Sequence, residues 1–137
     1  MIVVLDTNVF VSSFFGGNPR RIIDLWKTGR LTIGLSPAII DEYNEVLGRL
    51  GLAGEPELKE ILDFLALGAG IIFTADPPDL RIVKDDPDDD KFLACAVALT
   101  AEAVITGDKA LRAVGSYGRI RVWKPSEFLK RPEINRL

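Results

Sequence analysis

The chain has 137 residues, a formal charge of −3, 47% hydrophobic and 27% charged residues, which suits one folded domain with one core and excludes a largely disordered chain. Apolar runs such as Ile2-Val3-Val4-Leu5 and Ile71-Ile72-Phe73 are strand-sized, and none approaches the roughly 20 residues that cross a bilayer. Cys95 is the one cysteine, so an internal disulfide is excluded, and with no histidine there is no Ser-His-Asp triad, Cys-His pair or His-ligated zinc.

Any enzymatic chemistry must then come from carboxylates, lysine, hydroxyls or the lone thiol. No basic stretch precedes the first apolar run, so no signal peptide is expected, and a cytoplasmic location is the default. Charge is unevenly spread. Residues 1–108 hold nine Lys/Arg against eighteen Asp/Glu, and residues 109–137 hold eight against two. An acidic site beside a basic lip suits a polyanion whose scissile phosphate must meet a cation.

In chain order, Ile2–Leu5 reads as a strand covered on both faces. After Gly16-Gly17-Asn18-Pro19 the pattern predicts a helix near Arg20–Thr28, closed by Gly29. Leu31–Leu35 is a second strand. Ser36 is a good N-cap with Pro37 at the first helical position, and Ile39, Ile40, Tyr43, Val46, Leu47 and Leu50 recur at helical spacing. Pro56 opens another helix through about Leu67, and Gly70–Phe73 is a third strand. A polar stretch from Asp76 to Asp88 leads into a helix from about Asp89 to Thr100, with Cys95 in core packing. Ala103–Thr106 is a fourth strand, Asp108–Val114 a short helix, Ile120–Trp123 a last edge strand, and Pro125–Lys130 a final turn or two of helix. Strands alternating with helices predict a single domain over 1–137, a three-layer α/β/α sandwich with a central, mainly parallel sheet.

In open parallel sheets, ligands bind beyond the carboxyl ends of the strands. Asp6 directly follows the first strand, Asp108 follows Ala103–Ile105, and Asp89 opens the helix that feeds the fourth strand. Glu42 lies in the second turn of its helix, about 9 Å from the start at 1.5 Å per residue. Four acids from distant segments thus fall on one end of the sheet. Their mutual repulsion calls for an oxygen-preferring divalent cation, Mg²⁺ or Mn²⁺, in one or two copies, and phosphodiester hydrolysis is the chemistry such a site suits. Each acid also has a plainer reading: Asp6 and Asp108 as turn or capping residues, Glu42 on a solvated helix face, and Asp85 to Asp90 as an acidic loop capping a helix.

Asp6-Thr7-Asn8-Val9, Ser36-Pro37-Ala38-Ile39-Ile40-Asp41-Glu42-Tyr43, Asp86-Pro87-Asp88-Asp89-Asp90-Lys91-Phe92-Leu93-Ala94-Cys95-Ala96 and Val104-Ile105-Thr106-Gly107-Asp108 together resemble a PIN domain. The match extends from Met1 to about Leu129 and is nearest to toxin components of bacterial and archaeal toxin–antitoxin pairs. The resemblance implies a Mg²⁺- or Mn²⁺-dependent endoribonuclease in which Asp6, Glu42 and Asp108 are metal-site acids. It implies Asp89 as the fourth, because Asp89 keeps a seven-residue spacing to the small Ala96; Asp90 is the alternative. Thr7, Asn8 and Thr106 become supporting hydroxyl and amide groups. A homodimer and a separate antitoxin chain are further implications, and no membrane association is expected.

Arg20, Arg21, Lys109 and Arg112 are weaker candidates for RNA phosphate contacts, each with solvated surface as the plainer reading. Phe14, Phe15 and Trp26 are candidates for base stacking, although Trp26 is expected in the core or at a dimer interface. Two other Asp-led folds fit poorly. A haloacid-dehalogenase-like phosphatase needs an acid where Asn8 stands, and a response-regulator receiver needs a phosphoacceptor after the third strand, which ends in Phe73-Thr74-Ala75. The rival readings that remain are a catalytically idle RNA- or protein-binding module of the same fold and a processing nuclease without an antitoxin.

Overall fold

A computed structural model describes residues 1–135. The chain runs β1 (Ile2–Leu5), α1 (Thr7–Ser12), α2 (Gly17–Lys27), β2 (Thr32–Leu35), α3 (Pro37–Arg49), α4 (Pro56–Leu67), β3 (Ile71–Phe73), α5 (Asp90–Leu99), β4 (Ala103–Ile105), α6 (Lys109–Arg112), β5 (Ser116–Tyr117), β6 (Ile120–Trp123), α7 (Pro125–Leu129) and α8 (Pro132–Asn135), with short 3₁₀ turns at Ser13–Phe15, Leu52–Gly54 and Pro87–Asp89. The six strands form one sheet in the order β3-β2-β1-β4-β6-β5, parallel throughout except for the antiparallel β5. With helices packed against the sheet, this is the α/β/α architecture that alternating strands and helices imply.

β1 is central and explains the unbroken apolar run. Val3, Val4 and Leu5 have no solvent exposure, and β1 pairs with β2 on one side and β4 on the other. Burying a side chain of this size contributes about 1.5–3 kcal/mol. α5 packs against β1, and its Phe92, Leu93, Cys95 and Ala96 are buried. Burial pushes the Cys95 thiol up to about 12, so this cysteine is an inert packing group. Trp26 also belongs to the core: its indole Nε1 donates to the Gly70 carbonyl at 3.1 Å. Gly70 has φ +65° there, and a Cβ would lie 2.8 Å from that nitrogen, so both backbone and space require glycine.

Three local features depart from the sequence expectation. Thr7–Ser12 is helical although its run of β-branched and aromatic residues gives no helical period; Asp6 starts it by accepting the Val9 N–H at 2.8 Å. α2 begins at Gly17 because Pro19 fits the first turn of a helix. Ile120–Trp123 is not the edge strand. It lies between β4 and β5, and a tight turn with Gly118 at φ +60° brings Ser116–Tyr117 back as a two-residue antiparallel edge, too short to show period-two alternation.

Candidate active site

The parallel strands β1 and β4 end side by side, in register from Val3↔Ala103 to Leu5↔Ile105. The residues directly after them, Asp6 and Thr106, therefore meet. Thr106 donates its hydroxyl to Asp6 Oδ2 and accepts the Asp108 N–H at 2.9 Å. Asp6 Oδ1 takes the Val9 N–H, and Asp108 Oδ2 takes the Leu111 N–H at 3.0 Å as the N-cap of α6. Both acids are thus fixed by helix capping and also face the strand ends. Capping and a place at the strand ends are therefore compatible in both residues. Asp6 is buried, and that burial pushes its carboxyl above the ordinary 3.8; Asp108 and Glu42 add to the rise, and the bonds from Thr106 and Val9 oppose it.

α3 brings in Glu42. Ser36 accepts the Ile39 N–H, Pro37 fills the first helical position, and Tyr43 anchors the helix by donating its hydroxyl to the Leu5 carbonyl and stacking on Phe10 at 4.2 Å. One residue earlier, Glu42 Oε2 accepts the Thr7 hydroxyl and Oε1 lies 2.7 Å from Lys91 Nζ.

The aspartate run separates into different environments. Asp90, the first residue of α5, turns away and accepts the N–H groups of Ile82 and Val83, both at 2.8 Å, which ties the 76–88 segment to the helix. Asp89 sits in the cleft. Its Oδ2 is buried without a hydrogen-bond partner among the described residues. Burial first, then contact with Asp108 and the charges of Asp108, Asp86 and Asp6, push its carboxyl up to about 8. Asp86, Asp89 and Asp108 each offer an oxygen within 4.8 Å of the others.

Asp86 was not singled out by the sequence reading. The signal for it was Asp86-Pro87: the proline opens a 3₁₀ turn closed by the Asp89 N–H donating to the Asp86 carbonyl at 3.0 Å, and residues three apart in such a turn eclipse. Lys91 and Arg49 were also missed. Lys91 joins Glu42 to Asp88, at 2.7 and 3.1 Å. Arg49 lines the cleft from the end of α3.

The cleft is about 190 Å³ and is lined by Asp6, Thr7, Asn8, Glu42, Arg49, Asp86, Asp88, Asp89 and Asp108 over Val46 and Phe92. Asn8 is exposed on its rim. The other basic candidates are not part of this lining. Arg20 donates to the Ser13 and Phe14 carbonyls at 2.6 and 3.0 Å, closing the turn before α2. Arg21 lines a separate groove with Asp24, Thr28 and Leu129. Lys109 is exposed and Arg112 half-buried on α6, the helix that Asp108 caps. Among the proposed stacking residues, Phe14 and Trp26 are buried, and Phe15 is exposed.

Residues 2–110 match the family model described as "PIN domain". The chain is also 32% identical over 145 aligned positions to the uncharacterized protein MJ1680 of Methanocaldococcus jannaschii, an alignment that covers 93% of this chain and 89% of that protein.

Proposed function

Since the chain belongs to the PIN-domain family, we propose that it is a metal-dependent endoribonuclease whose site acids are Asp6, Glu42, Asp89 and Asp108, joined by Asp86. The observation that carries this reading is the buried, unpartnered Asp89 Oδ2 within a group of three carboxylates whose oxygens converge within 4.8 Å. Such an arrangement is costly without a cation. The donor set is all oxygen, which suits Mg²⁺ or Mn²⁺. Asp86, Asp89 and Asp108 would hold the ion, with Asp6 and Glu42 beside them. When bound, such an ion lowers the pKa of water and neutralises charge building up on the phosphate.

The chain's own groups do the positioning. Thr106 and the Val9 N–H leave Asp6 one orientation, so it is a fixed acceptor for the proton of an attacking water. Thr7 holds Glu42. Asn8 and Arg49 line the cleft, and Lys109 and Arg112 lie on the helix that Asp108 caps; these are the groups offered to RNA phosphates. The absence of histidine agrees with water, rather than the ribose 2′-hydroxyl, as the attacking group. The products then end in a phosphate monoester and a free hydroxyl, without a 2′,3′-cyclic phosphate.

The finer proposal follows the nearest family resemblance: a toxin component that acts as a homodimer and is silenced by a separate antitoxin chain. No described helix is long and apolar enough to cross a membrane. The test of the activity is cleavage of a panel of single-stranded and structured RNAs with Mg²⁺ or Mn²⁺, abolished by chelation and by Asp6→Asn. Growth arrest on expression, relieved by the product of an adjacent small reading frame, tests the toxin role. Activity without arrest supports a processing nuclease instead.

A further inference from the structure

We propose that the ε-ammonium of Lys91 is a built-in cation that engages Glu42 at the edge of the cleft, so that the centre takes up a single divalent ion, on the Asp86–Asp89–Asp108 side. The inference rests on the reading of the cleft as a metal site and says how that site is divided. Lys91 is the second residue of α5, directly after the aspartates, and its stem runs beside Phe92, with Nζ 5.8 Å from the ring centre. Its side chain is only 15% exposed, so the ammonium is held against two carboxylates that line the cleft, those of Glu42 and Asp88. Nζ lies 2.7 Å from Glu42 Oε1 and 3.1 Å from Asp88 Oδ2.

The two halves of the cleft differ in what their oxygens already have. On the Glu42 side, Oε1 faces the ammonium and Oε2 accepts the Thr7 hydroxyl. On the other side, Asp89 Oδ2 has no hydrogen-bond partner among the described residues, and its carboxylate converges with those of Asp86 and Asp108. A carboxylate oxygen has a second lone pair, so a hydrogen bond alone does not bar a metal. A fixed positive charge does: a divalent ion at Glu42 Oε1 must either sit against the ammonium or expel it, and expulsion strands a mostly buried lysine without its partners. The tethered ammonium is also always present, whereas an ion must be drawn from solution.

The test is ion stoichiometry on the full chain. Isothermal titration with Mn²⁺ should give one ion per chain for the wild type, with an electron paramagnetic resonance signal free of Mn–Mn coupling. Lys91→Met, which keeps the stem and removes the charge, should bind two ions and show coupling; Lys91→Arg should again bind one. Circular dichroism checks the fold of each variant, and Lys91→Gln replaces Lys91→Met if the latter does not fold. Two ions in the wild type, or one in the folded neutral variant, would overturn the inference and leave the metal-site reading standing. No ion bound by any form would instead remove the metal-site reading itself.

Discussion

Asp89 and Asp90 are neighbours in different surroundings, and substituting them separately should divide stability from activity. Asp90 accepts two backbone N–H groups at 2.8 Å, one of them from Val83, which is buried. Asp90→Ala leaves both donors unmatched. At about 1.5–3 kcal/mol for each bond to a charged acceptor, less what water recovers at the half-buried Ile82, the loss is about 3 kcal/mol. For a domain of this size that is a fall in Tm of about 10 °C. Asp89→Asn removes a carboxylate that burial and Asp108 already disfavour. It should leave Tm of the metal-free protein within about 1 °C or raise it, while cutting RNA cleavage by about 100-fold or more. Thermal melts without metal, paired with cleavage assays at a temperature where both variants are folded, measure the two effects. A stable, inactive Asp90→Ala beside an active Asp89→Asn would refute the assignment.

Four further outcomes are expected. Metal-free protein should lose stability as pH rises: Asp89 is raised from 3.8 to about 8, so the contribution is fully present below pH 3.8 and is lost as pH rises through about 8. Titration calorimetry in buffers of different ionisation enthalpy at pH 7 should then detect release of about 0.9 proton per ion bound, falling towards zero about 1.5 pH units above 8. Thr106→Val keeps the volume of a fully buried side chain but removes the hydroxyl that joins Asp6 to the Asp108 N–H. Mn²⁺ affinity and kcat should fall by about 10–100-fold with little change in KM, measured by calorimetry and steady-state kinetics. Thr100 ends α5 at φ +55°, the one non-glycine residue at positive φ among the described residues. Thr100→Gly should raise stability by about 0.5–1 kcal/mol in denaturant melts, with cleavage unchanged.

The layered fold was readable because β1, β3 and β4 are short and fully apolar and the strands are separated by helices with caps in sequence, such as Ser36-Pro37 before α3. Asp6 and Asp108 were readable for a related reason: each follows a buried parallel strand, and adjacent parallel strands bring their ends together. The spacing of Asp89 to Ala96 selected the acid that faces the cleft, whereas nothing in the composition of residues 85–90 did. What separates Asp89 from Asp90 is a long-range bond to Ile82 and Val83, which has no local signature. α1 escaped because its helix-starting signal, Asp6, was already interpreted as chemistry, and β5 because two residues cannot show a period. Lys91 was hidden by its position in a charged run, where a solvated lysine is the ordinary expectation; only the fold brings Glu42, 49 residues earlier, to its ammonium.

The most direct test of the central claim is one cleavage experiment. Wild-type protein and Asp89→Asn, purified in parallel, are incubated with a broad RNA panel in Mn²⁺ or in chelator, and product ends are mapped. Cleavage by the wild type in Mn²⁺ alone, with no 2′,3′-cyclic phosphate and with the variant inert, is the expected result. Equal cleavage by the variant, cleavage unaffected by chelation, or an inert wild type that also binds no divalent ion would contradict it.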